Sequence, residues 1–353
     1  MFGETQSMKL RTLANGLKAA YRDTDVADRV QHFNGWNDRA GAAGDATDYD
    51  HSETVKEYYD LCGELMVFGW GDALHFAPLS PEESVEESKT RHQRLMIAKL
   101  ELSEGMTVVD VGCGIGDPMR RVVREGGVKV VGVNSNVIQL EKTKSLNSEA
   151  GLDGMVDYVA CSFMDMVTIP DNTFDRGYAI ESTCHAPDKT GAFAEIYRVL
   201  KPGALLWGQE MCMTDKFDPD DARHRAIEQN LMQYIALKEI ATTGEVNRAL
   251  EAVGFQVIEG LDRAVEGNGS ATPWYRPLET RHGALGSALY RIPLGRKAFV
   301  GACRLAEGLR VFPKGTAAVV GLMDQTARAY VAGGKSGVFT PLYCFLARKP
   351  LRA

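Results

Sequence analysis

A glycine-rich loop is the first stretch of this chain whose spacing points to chemistry. VVDVGCGIGDP (108–118) follows an apolar run that reads as a buried strand. Its glycines permit a tight turn and let the backbone approach a ligand closely. Asp110 before the loop and Asp117 after it disfavour a bound phosphate and suit a cationic amino-acid ligand. A ligand-free turn and a nucleotide site remain alternatives.

The string DVGCGIG resembles the first motif of class I methyltransferases, which implies S-adenosyl-L-methionine as the cofactor. Asn134 and Asn136 end the second predicted strand, where ribose hydroxyls are normally bound, and asparagine both donates and accepts hydrogen bonds. CSFMDM (161–166) would place Ser162, Phe163 or Asp165 near the adenine. The predicted cofactor contacts are Asp110, Gly112, Cys113, Gly114, Gly116, Asn134, Asn136, Gln139, Ser162, Phe163, Ala179 and Ile180.

The stretch FGWGDALHF (68–76) places three aromatic rings and a histidine in nine residues, with glycines on both sides of Trp70. Methylation of an alkene leaves a tertiary carbocation, and an aromatic face stabilises a cation by about 0.5–2 kcal/mol. Rings on a flexible glycine frame would suit that chemistry. The same rings could equally pack against the sheet as an aromatic staple.

Two acids and two histidines are candidates for the remaining chemistry. Glu181 follows the core of the fourth predicted strand and Glu210 lies at the end of the fifth, at the edge where open α/β sheets bind ligands; Glu181 is predicted to face the cation, and Glu210 is the second candidate carboxylate. His185 is the leading candidate for the base that removes the last proton, with His75 as its competitor. A structural role is the alternative for all four. Cys184 and His185 are not read as a nucleophilic dyad, because adjacent side chains of an extended chain point apart.

Seven apolar, β-branched runs predict the strands that position these residues. They are 106–112, 128–134, 156–162, 174–182, 204–211, 255–260 and 336–350, with helical patterns at 118–126, 135–151, 189–200 and 244–254. Strands separated by such helices predict a mostly parallel sheet covered on both faces. The predicted fold class is α/β, a Rossmann-like class I methyltransferase with a seven-stranded sheet, an N-terminal helical segment and a helical insertion before the last strand.

Several longer segments resemble the sterol 24-C-methyltransferase family. They are YYDLCGELMVFGWGDALHFAPL (58–79), AIESTCHAPDK (179–189), EIYRVLKPG (195–203), QEMCMTDKFDP (209–219), PWYRPL (273–278), FPKGT (312–316) and GGKSGVFTPLYCFLARKP (333–350). The resemblance implies methyl transfer, without a metal, from S-adenosyl-L-methionine to the side-chain double bond (C24) of a sterol such as zymosterol, cycloartenol or desmosterol. It also implies substrate contacts at Tyr58, Tyr59, Phe68, Trp70, Phe76, Glu83, Cys184 and Trp274.

Two departures from the family pattern fall where the acceptor is expected. Met66-Val67-Phe68 replaces a Tyr-Glu-Tyr sequence, and HRAIEQN (224–230) continues into LMQYIALKEI where the family has a glycine-containing turn. Another isoprenoid alkene, or a heteroatom acceptor such as a tocopherol-like phenol or a small amine, therefore stays open. So does a cofactor-binding protein that has lost catalysis and serves as a partner subunit.

Length, composition and charge limit the remaining choices. The 353 residues, 44% hydrophobic and 25% charged, are typical of a globular protein. We divide them into a variable leader (1–48), expected to be loosely attached or to form short helices, a cofactor-binding core with a helical acceptor segment (49–260) and a sterol methyltransferase C-terminal region (261–353). A net charge of −7 disfavours a nucleic-acid partner. Seven cysteines without CxxC spacing read as buried, reduced thiols.

The cellular location follows from what the sequence does not contain. No signal sequence or apolar run of about 18 residues is visible, so we predict an intracellular, cytoplasmic protein. A membrane-dissolved acceptor would require peripheral contact with a sterol-containing bilayer, the endoplasmic reticulum in a eukaryote. Segment 283–312, which mixes basic and apolar residues, could serve as a lid, a bilayer-docking element or a dimer face, and a lid is favoured. A homo-oligomer also stays open.

Overall fold

The computed structural model describes residues 2–22, 24–43, 51–265, 272–279 and 293–351. The chain divides into two compact units that are discontinuous in sequence. The sheet unit consists of Asp72–Phe217, Glu239–Trp274 and Gly337–Ala353, and the helical unit consists of Met1–Gly71, Asp218–Lys238 and Tyr275–Ser336. The division predicted from the sequence follows chain order instead, and it stays a prediction.

The described residues form helices and strands in the following order. The helices are α1 (Phe2–Ala20), α2 (Val26–Asn34), α3 (Trp36–Ala43), α4 (His51–Trp70), α5 (Val85–Lys99), α6 (Asp117–Gly126), α7 (Val137–Glu149), α8 (Lys189–Val199), α9 (Ala222–Ile235), α10 (Thr243–Ala252), α11 (Pro293–Gly308) and α12 (Thr316–Ser336). The strands are β1 (Thr107–Val111), β2 (Lys129–Val133), β3 (Val156–Val159), β4 (Phe174–Ile180), β5 (Leu200–Met213), β6 (Gln256–Asp262) and β7 (Phe339–Arg348).

All seven strands belong to one sheet in the order β3-β2-β1-β4-β5-β7-β6. The first five strands in this order pair in parallel, whereas β7 is antiparallel to both β5 and β6. The sequence prediction of a seven-stranded, mostly parallel sheet is confirmed. Each predicted strand and each of the four intervening helices is present, with ends that differ by a few residues.

Alternate residues of the central strands pack against different helices, because successive side chains of a strand point to opposite faces. Val108 packs with Met96 of α5 and Met119 of α6. Its neighbour Val109 belongs to a separate apolar cluster that contains Phe193 of α8. Helices therefore cover both faces of the sheet, as the sequence predicts.

The helical unit has its own apolar core, to which α1, α2, α4 and α12 all contribute. Leu17, Phe33 and Trp36 are buried in it, and the Trp36 indole N–H donates to the carbonyl of Gln233 at 3.0 Å. The predicted leader therefore contains helices, as one of its two expected forms, and these helices are packed rather than loosely attached. Large apolar side chains at helical spacing explain the difference.

The stretch FGWGDALHF does not form the flexible loop that its glycines suggested. Helix α4 runs through Gly69 and ends at Trp70, and the loop begins at Gly71, which has a φ of 90°. A glycine inside a helix costs about 0.5–1 kcal/mol relative to alanine. Burial of Leu61 and Leu65 on the same helix outweighs that cost.

The predicted insertion is helical where the structure describes it. Helices α11 and α12 account for most of 293–336, whereas the first part of the 283–312 segment lies outside the described residues. In the described part of the chain, no helix combines the length and apolarity needed to cross a bilayer. All seven cysteines are unpaired, six of them buried and Cys161 half-buried, which agrees with the predicted reduced thiols.

Candidate active site

The carboxyl ends of β1, β2, β3 and β4 meet at one edge of the sheet, because these strands are parallel. The loops that follow them carry most of the predicted site residues. Strand β5 reaches the same edge of the sheet, since Ile180 at the end of β4 pairs with Gln209 of β5. Ligands of open α/β sheets bind at such an edge.

The glycine loop after β1 has the backbone that its sequence predicts. Gly112, Gly114 and Gly116 have φ values of 79°, 52° and 76°. A Cβ on Gly112 would lie 2.3 Å from the Cβ of Ser182, so only glycine fits there. A Cβ on Gly114 would meet no heavy atom within 4 Å. The loop therefore leaves open space beside its backbone, which fits a closely bound ligand.

Asp110 lies within β1, and its side chain is buried. One carboxyl oxygen accepts a hydrogen bond from the Tyr178 hydroxyl at 2.9 Å. Burial raises the pKa of Asp110 to about 7, although the bond from Tyr178 acts in the opposite direction. Cys113, in the loop that follows, is also buried and donates its backbone N–H to the carbonyl of Val133 at 3.1 Å.

The amides after β2 connect that strand to the glycine loop. Asn134 Nδ2 donates to the Gly114 carbonyl at 3.3 Å and to Gln139 Oε1 at 3.0 Å. Asn136 caps α7 by accepting from the Gln139 N–H at 3.1 Å, and its own N–H donates to Asn134 Oδ1 at 2.9 Å. These bonds explain the position of the three side chains, while their predicted contact with the cofactor stays a prediction.

The residues predicted to lie near the adenine follow β3 and end β4. Ser162 and Phe163 are half-buried, and the Ser162 hydroxyl accepts from the Met164 N–H at 3.1 Å. Asp165 is exposed. Ala179 is buried and Ile180 is half-buried at the end of β4. All are on the sheet unit, and none of these assignments is tested by the geometry.

Glu181 is the first residue after β4 and has a φ of 50°, in the left-handed region that is unfavourable for a residue with a side chain. Its Oε1 accepts from the Phe76 N–H at 2.7 Å and from Gln209 Nε2 at 2.6 Å. Among the described residues, its Oε2 has no hydrogen-bond partner. Burial raises the pKa of Glu181 to about 8, and the two hydrogen bonds limit that rise.

Two residues of this site were missed by sequence reasoning. Gln209 is fully buried in β5, and His92 of α5 is 1% exposed, with its Nε2 at 2.8 Å from Gln209 Oε1. The available signal was a polar side chain inside an otherwise apolar strand, ALLWGQEM (204–211). Buried polar side chains need partners, so that glutamine should have indicated a network.

His75 is buried, and both of its ring nitrogens are engaged. Its Nδ1 lies 2.7 Å from the Phe76 carbonyl, which requires the proton on Nδ1, and its Nε2 accepts from Gln93 Nε2 at 2.9 Å. Burial lowers the pKa of His75 to about 4, so the ring is neutral. Gln93 also donates to Asp117 at 2.8 Å, at the start of the helix that follows the glycine loop.

Glu210 is fully buried in an ion pair. Its Oε1 accepts from the Thr183 hydroxyl, and its Oε2 lies 2.9 Å from Lys189 Nζ. Burial opposes the charge on Lys189, but Glu210 outweighs it and raises the pKa of the ammonium. Both carboxylate oxygens therefore have partners, in contrast to Glu181.

Cys184 and His185 lie in a short 3-10 turn, Thr183–His185, which begins two residues after Glu181. Cys184 is buried, and burial raises the pKa of its thiol well above the usual range, which disfavours a nucleophilic thiolate. His185 is half-buried, and its backbone N–H donates to the Ser182 carbonyl at 3.1 Å. His185 is therefore near Glu181 in sequence and on the same edge of the sheet.

Two of the predicted substrate rings pack together in the sheet unit. Phe76 and Trp274 are both buried, with ring centroids 5.1 Å apart at an interplanar angle of 81°. The ring centroid of Trp274 also lies 6.0 Å from that of Phe339 in β7. Since the Phe76 N–H binds Glu181, this aromatic cluster is attached to the buried carboxyl.

The other predicted substrate rings belong to α4, and the predicted acid Glu83 precedes α5. Tyr58, Tyr59, Phe68 and Trp70 are all on α4 of the helical unit, where Tyr58 stacks on Phe33 with centroids 5.6 Å apart. Glu83 lies in the sheet unit, and its carboxylate binds both the Ser88 hydroxyl at 2.9 Å and the Arg91 guanidinium at 3.0 Å. In the part of the chain that the structure describes, no three His, Cys, Asp or Glu side chains are grouped to hold a metal ion.

Comparison with known proteins identifies two family models in the chain. A methyltransferase domain matches residues 109–208, and a sterol methyltransferase C-terminal region matches residues 289–351. Cycloartenol-C-24-methyltransferase of Arabidopsis thaliana is 39% identical over 96% of this chain and 99% of the relative. Sterol 24-C-methyltransferase of Eremothecium gossypii is 35% identical over 99% of this chain and 94% of the relative.

Solved structures give the same fold at lower sequence similarity. The cyclopropane synthase MmaA2 from Mycobacterium tuberculosis superposes with a TM-score of 0.63 at 18% identity, over 87% of this chain and all of that one. This likeness establishes the Rossmann-like methyltransferase fold. The similarity to the curated relatives over nearly the whole chain shows that the chain belongs to the sterol 24-C-methyltransferase family of S-adenosyl-L-methionine-dependent enzymes.

Proposed function

We propose that this enzyme methylates C24 of a sterol with a side-chain double bond, and that cycloartenol is its first candidate acceptor, ahead of zymosterol and desmosterol. The observation that carries the proposal is the Glu181 carboxyl, which is buried and fixed through one oxygen beside the Phe76–Trp274 ring pair. The name of the Arabidopsis relative favours cycloartenol among the three sterols.

The residues at the sheet edge fit S-adenosyl-L-methionine. Gly114 leaves open space beside the backbone of the loop, while Asn134 and Asp110 flank that loop. When bound, the cofactor supplies an electrophilic methyl group, and breaking the bond between that methyl carbon and the sulfonium sulfur leaves S-adenosyl-L-homocysteine. The chain's part is to hold that group against the acceptor in a dry site, which accounts for a large share of enzymatic rate enhancement.

The residues that surround the sterol must stabilise the cation that methyl transfer forms. As the side-chain double bond takes up the methyl carbon, a tertiary carbocation is left on the sterol. The faces of Phe76 and Trp274 would stabilise it by about 0.5–2 kcal/mol each, depending on desolvation. The unpartnered oxygen of Glu181 would add a fixed negative charge when the carboxyl is ionised.

A base must then remove one proton from the sterol cation to form the product alkene. We propose His185 for this step, since it follows Glu181 by one turn and histidine is the side chain most often used to accept a proton near neutral pH. We propose a positioning role for His75, because its neutral ring holds the Phe76 carbonyl and the Gln93 amide. A positioning role also suits Glu210, whose oxygens hold Thr183 and Lys189.

The remaining parts of the proposal concern the surroundings of the enzyme. Tyr58, Tyr59, Phe68, Trp70 and Glu83 are proposed substrate contacts on the strength of the family resemblance. A sterol acceptor would bring the protein to a membrane surface, so we propose a cytoplasmic enzyme with peripheral membrane association. A homo-oligomer is part of the same proposal.

The test uses purified protein with radiolabelled S-adenosyl-L-methionine and, in separate detergent reactions, cycloartenol, zymosterol, desmosterol and γ-tocopherol. We expect label on the side chain of cycloartenol, located by mass spectrometry, and none on γ-tocopherol. Label on the phenol ring, or on no acceptor while cofactor binding is measurable by calorimetry, would refute the sterol assignment. Preference for another of the three sterols would correct the acceptor only.

A further inference from the structure

The Glu181 carboxyl is held by a side chain that is itself held by a second buried side chain. Gln209 Nε2 donates to Glu181 Oε1 at 2.6 Å, and Gln209 Oε1 lies 2.8 Å from His92 Nε2. We propose that His92 and Gln209 are positioning residues that fix the orientation of the Glu181 carboxyl for methyl transfer. This inference deepens the proposed function and rests on it for the role of Glu181.

The orientation of the Gln209 amide is determined by its surroundings. The nitrogen end of the amide, Nε2, lies near three acceptors: Glu181 Oε1, the Phe76 carbonyl at 3.2 Å and the Pro341 carbonyl at 3.1 Å. Only the NH₂ group can serve acceptors, so the amide oxygen must face His92. That oxygen needs a donor, and therefore His92 carries its proton on Nε2.

His92 is not explained by packing or stability alone. Its ring is 1% exposed and packs against Trp207 with centroids 5.5 Å apart, so an apolar ring would fit the surroundings. Its Nδ1 is buried and has no hydrogen-bond partner among the described residues, which is unfavourable. The feature that a histidine adds here is the Nε2–H directed at Gln209.

The way in which Glu181 is hydrogen-bonded explains why the donor from Gln209 should affect the reaction. Both of its hydrogen bonds, from Phe76 N–H and from Gln209, reach the same oxygen, Oε1. Loss of the second donor would leave one bond, about which the carboxyl can rotate. Rotation moves Oε2, the oxygen proposed to face the cation, and small displacements of a catalytic group cost large factors in rate.

The test begins with three variants of the full chain, assayed with the sterol that the parent methylates. His92→Phe keeps the ring and removes the donor, and we expect kcat to fall by about tenfold or more while KM for the cofactor changes by less than about twofold. His92→Gln keeps an N–H donor and should recover most of kcat. Met96→Leu, buried one turn further along the same helix, is the packing control and should stay within about twofold.

The decisive comparison repeats His92→Phe in a Glu181→Gln background. If His92 acts through Glu181, the second substitution should lower the residual kcat by less than about twofold. An equal loss from His92→Phe with and without the Glu181 carboxyl would overturn the inference. So would a Met96→Leu variant as impaired as His92→Phe.

Thermal unfolding gives a readout that does not depend on the acceptor. The Tm shifts of His92→Phe and Glu181→Gln should sum to clearly more than the shift of the double variant, because both substitutions break the same network. Additive shifts would overturn the inference. If the parent methylates none of the sterols, the proposed function fails, and the unfolding cycle still decides whether His92 supports Glu181.

Discussion

The carboxyl of Glu181 is protonated at neutral pH in the free protein, because burial raises its pKa to about 8. The positive sulfonium of a bound donor would favour the ionised form, since an opposite charge nearby lowers the pKa of an acid. Glu181 also occupies a left-handed backbone conformation, and such strain is typical of functional positions. At the scale of single residues, Glu181 shows how burial of a side chain sets the ionisation on which the proposed reaction depends.

Activity should therefore depend on the ionisation of Glu181. Because kcat/KM reports the free enzyme, we expect it to rise about tenfold per pH unit below pH 8 and to level off above it. Glu181→Gln should remove this limb and lower kcat/KM at pH 8 by at least tenfold. Methyl-transfer assays between pH 6 and 9 measure both effects. Glu125→Gln, in an ion pair on α6, is the control and should keep the parent profile.

The ring of Phe76 should contribute to the rate more than to the fold. Phe76→Leu removes a ring face proposed to stabilise the cation, and we expect kcat to fall by about 2- to 30-fold, as one cation–π contact of about 0.5–2 kcal/mol predicts. Phe255→Leu is the matched control, because Phe255 is also buried and packs edge to face on Tyr197. Equal losses of kcat in the two variants, at equal Tm, would argue against a chemical role for Phe76.

At the scale of elements, the loop between β1 and α6 is held in shape by its close approach to the turn after β4. Gly112→Ala would add a Cβ 2.3 Å from Ser182 at a φ of 79°. We expect at least a tenfold weaker affinity for S-adenosyl-L-methionine, measured by calorimetry. Gly105→Ala has a similar φ of 87° and no neighbour within 4 Å, so it should cost only about 1 kcal/mol of stability and leave affinity unchanged.

The whole molecule combines buried acids and buried histidines with opposite effects on stability. Burial raises the pKa of Glu181 to about 8 and that of Asp110 to about 7. The contribution of these acids to the free energy of unfolding is therefore lost as pH rises through those values. Burial lowers the pKa of His75 to about 4 and that of His92 to about 3. The contribution of these histidines to the free energy of unfolding is therefore lost as pH falls below 6.5. Between about pH 4.5 and 6.5 the two effects oppose each other.

Above pH 6.5 only the acids contribute to this balance, and stability should fall. For Glu181 the fall between pH 6.5 and 8 is about 2 kcal/mol, since one pKa unit corresponds to about 1.4 kcal/mol. Urea unfolding at pH 5.5, 6.5 and 8 tests this. The fall should be smaller by about that amount in Glu181→Gln, and an identical fall in the two proteins would show that Glu181 is not the group responsible.

Much of the fold could be predicted from the sequence, because the physical signals are local. Runs such as TVVDV and FTPLYCFLAR are apolar and β-branched or aromatic, and the patterns between them have helical spacing. The glycine loop was also predictable, since its positive φ angles require glycine. The positions of Glu181 and Glu210 at the carboxyl edge follow from the parallel order of the strands.

The partners of these side chains could not be predicted, because they come from distant parts of the chain. Glu181 is bound by Phe76 and Gln209, whereas Glu210 is bound by Thr183 and Lys189, and nothing in the local sequence distinguishes the two acids. The sequence by itself determined the strands, the glycine loop and the family. Only the tertiary structure decided which acid keeps an unpartnered oxygen, since burial and hydrogen bonding depend on which segments the fold brings together.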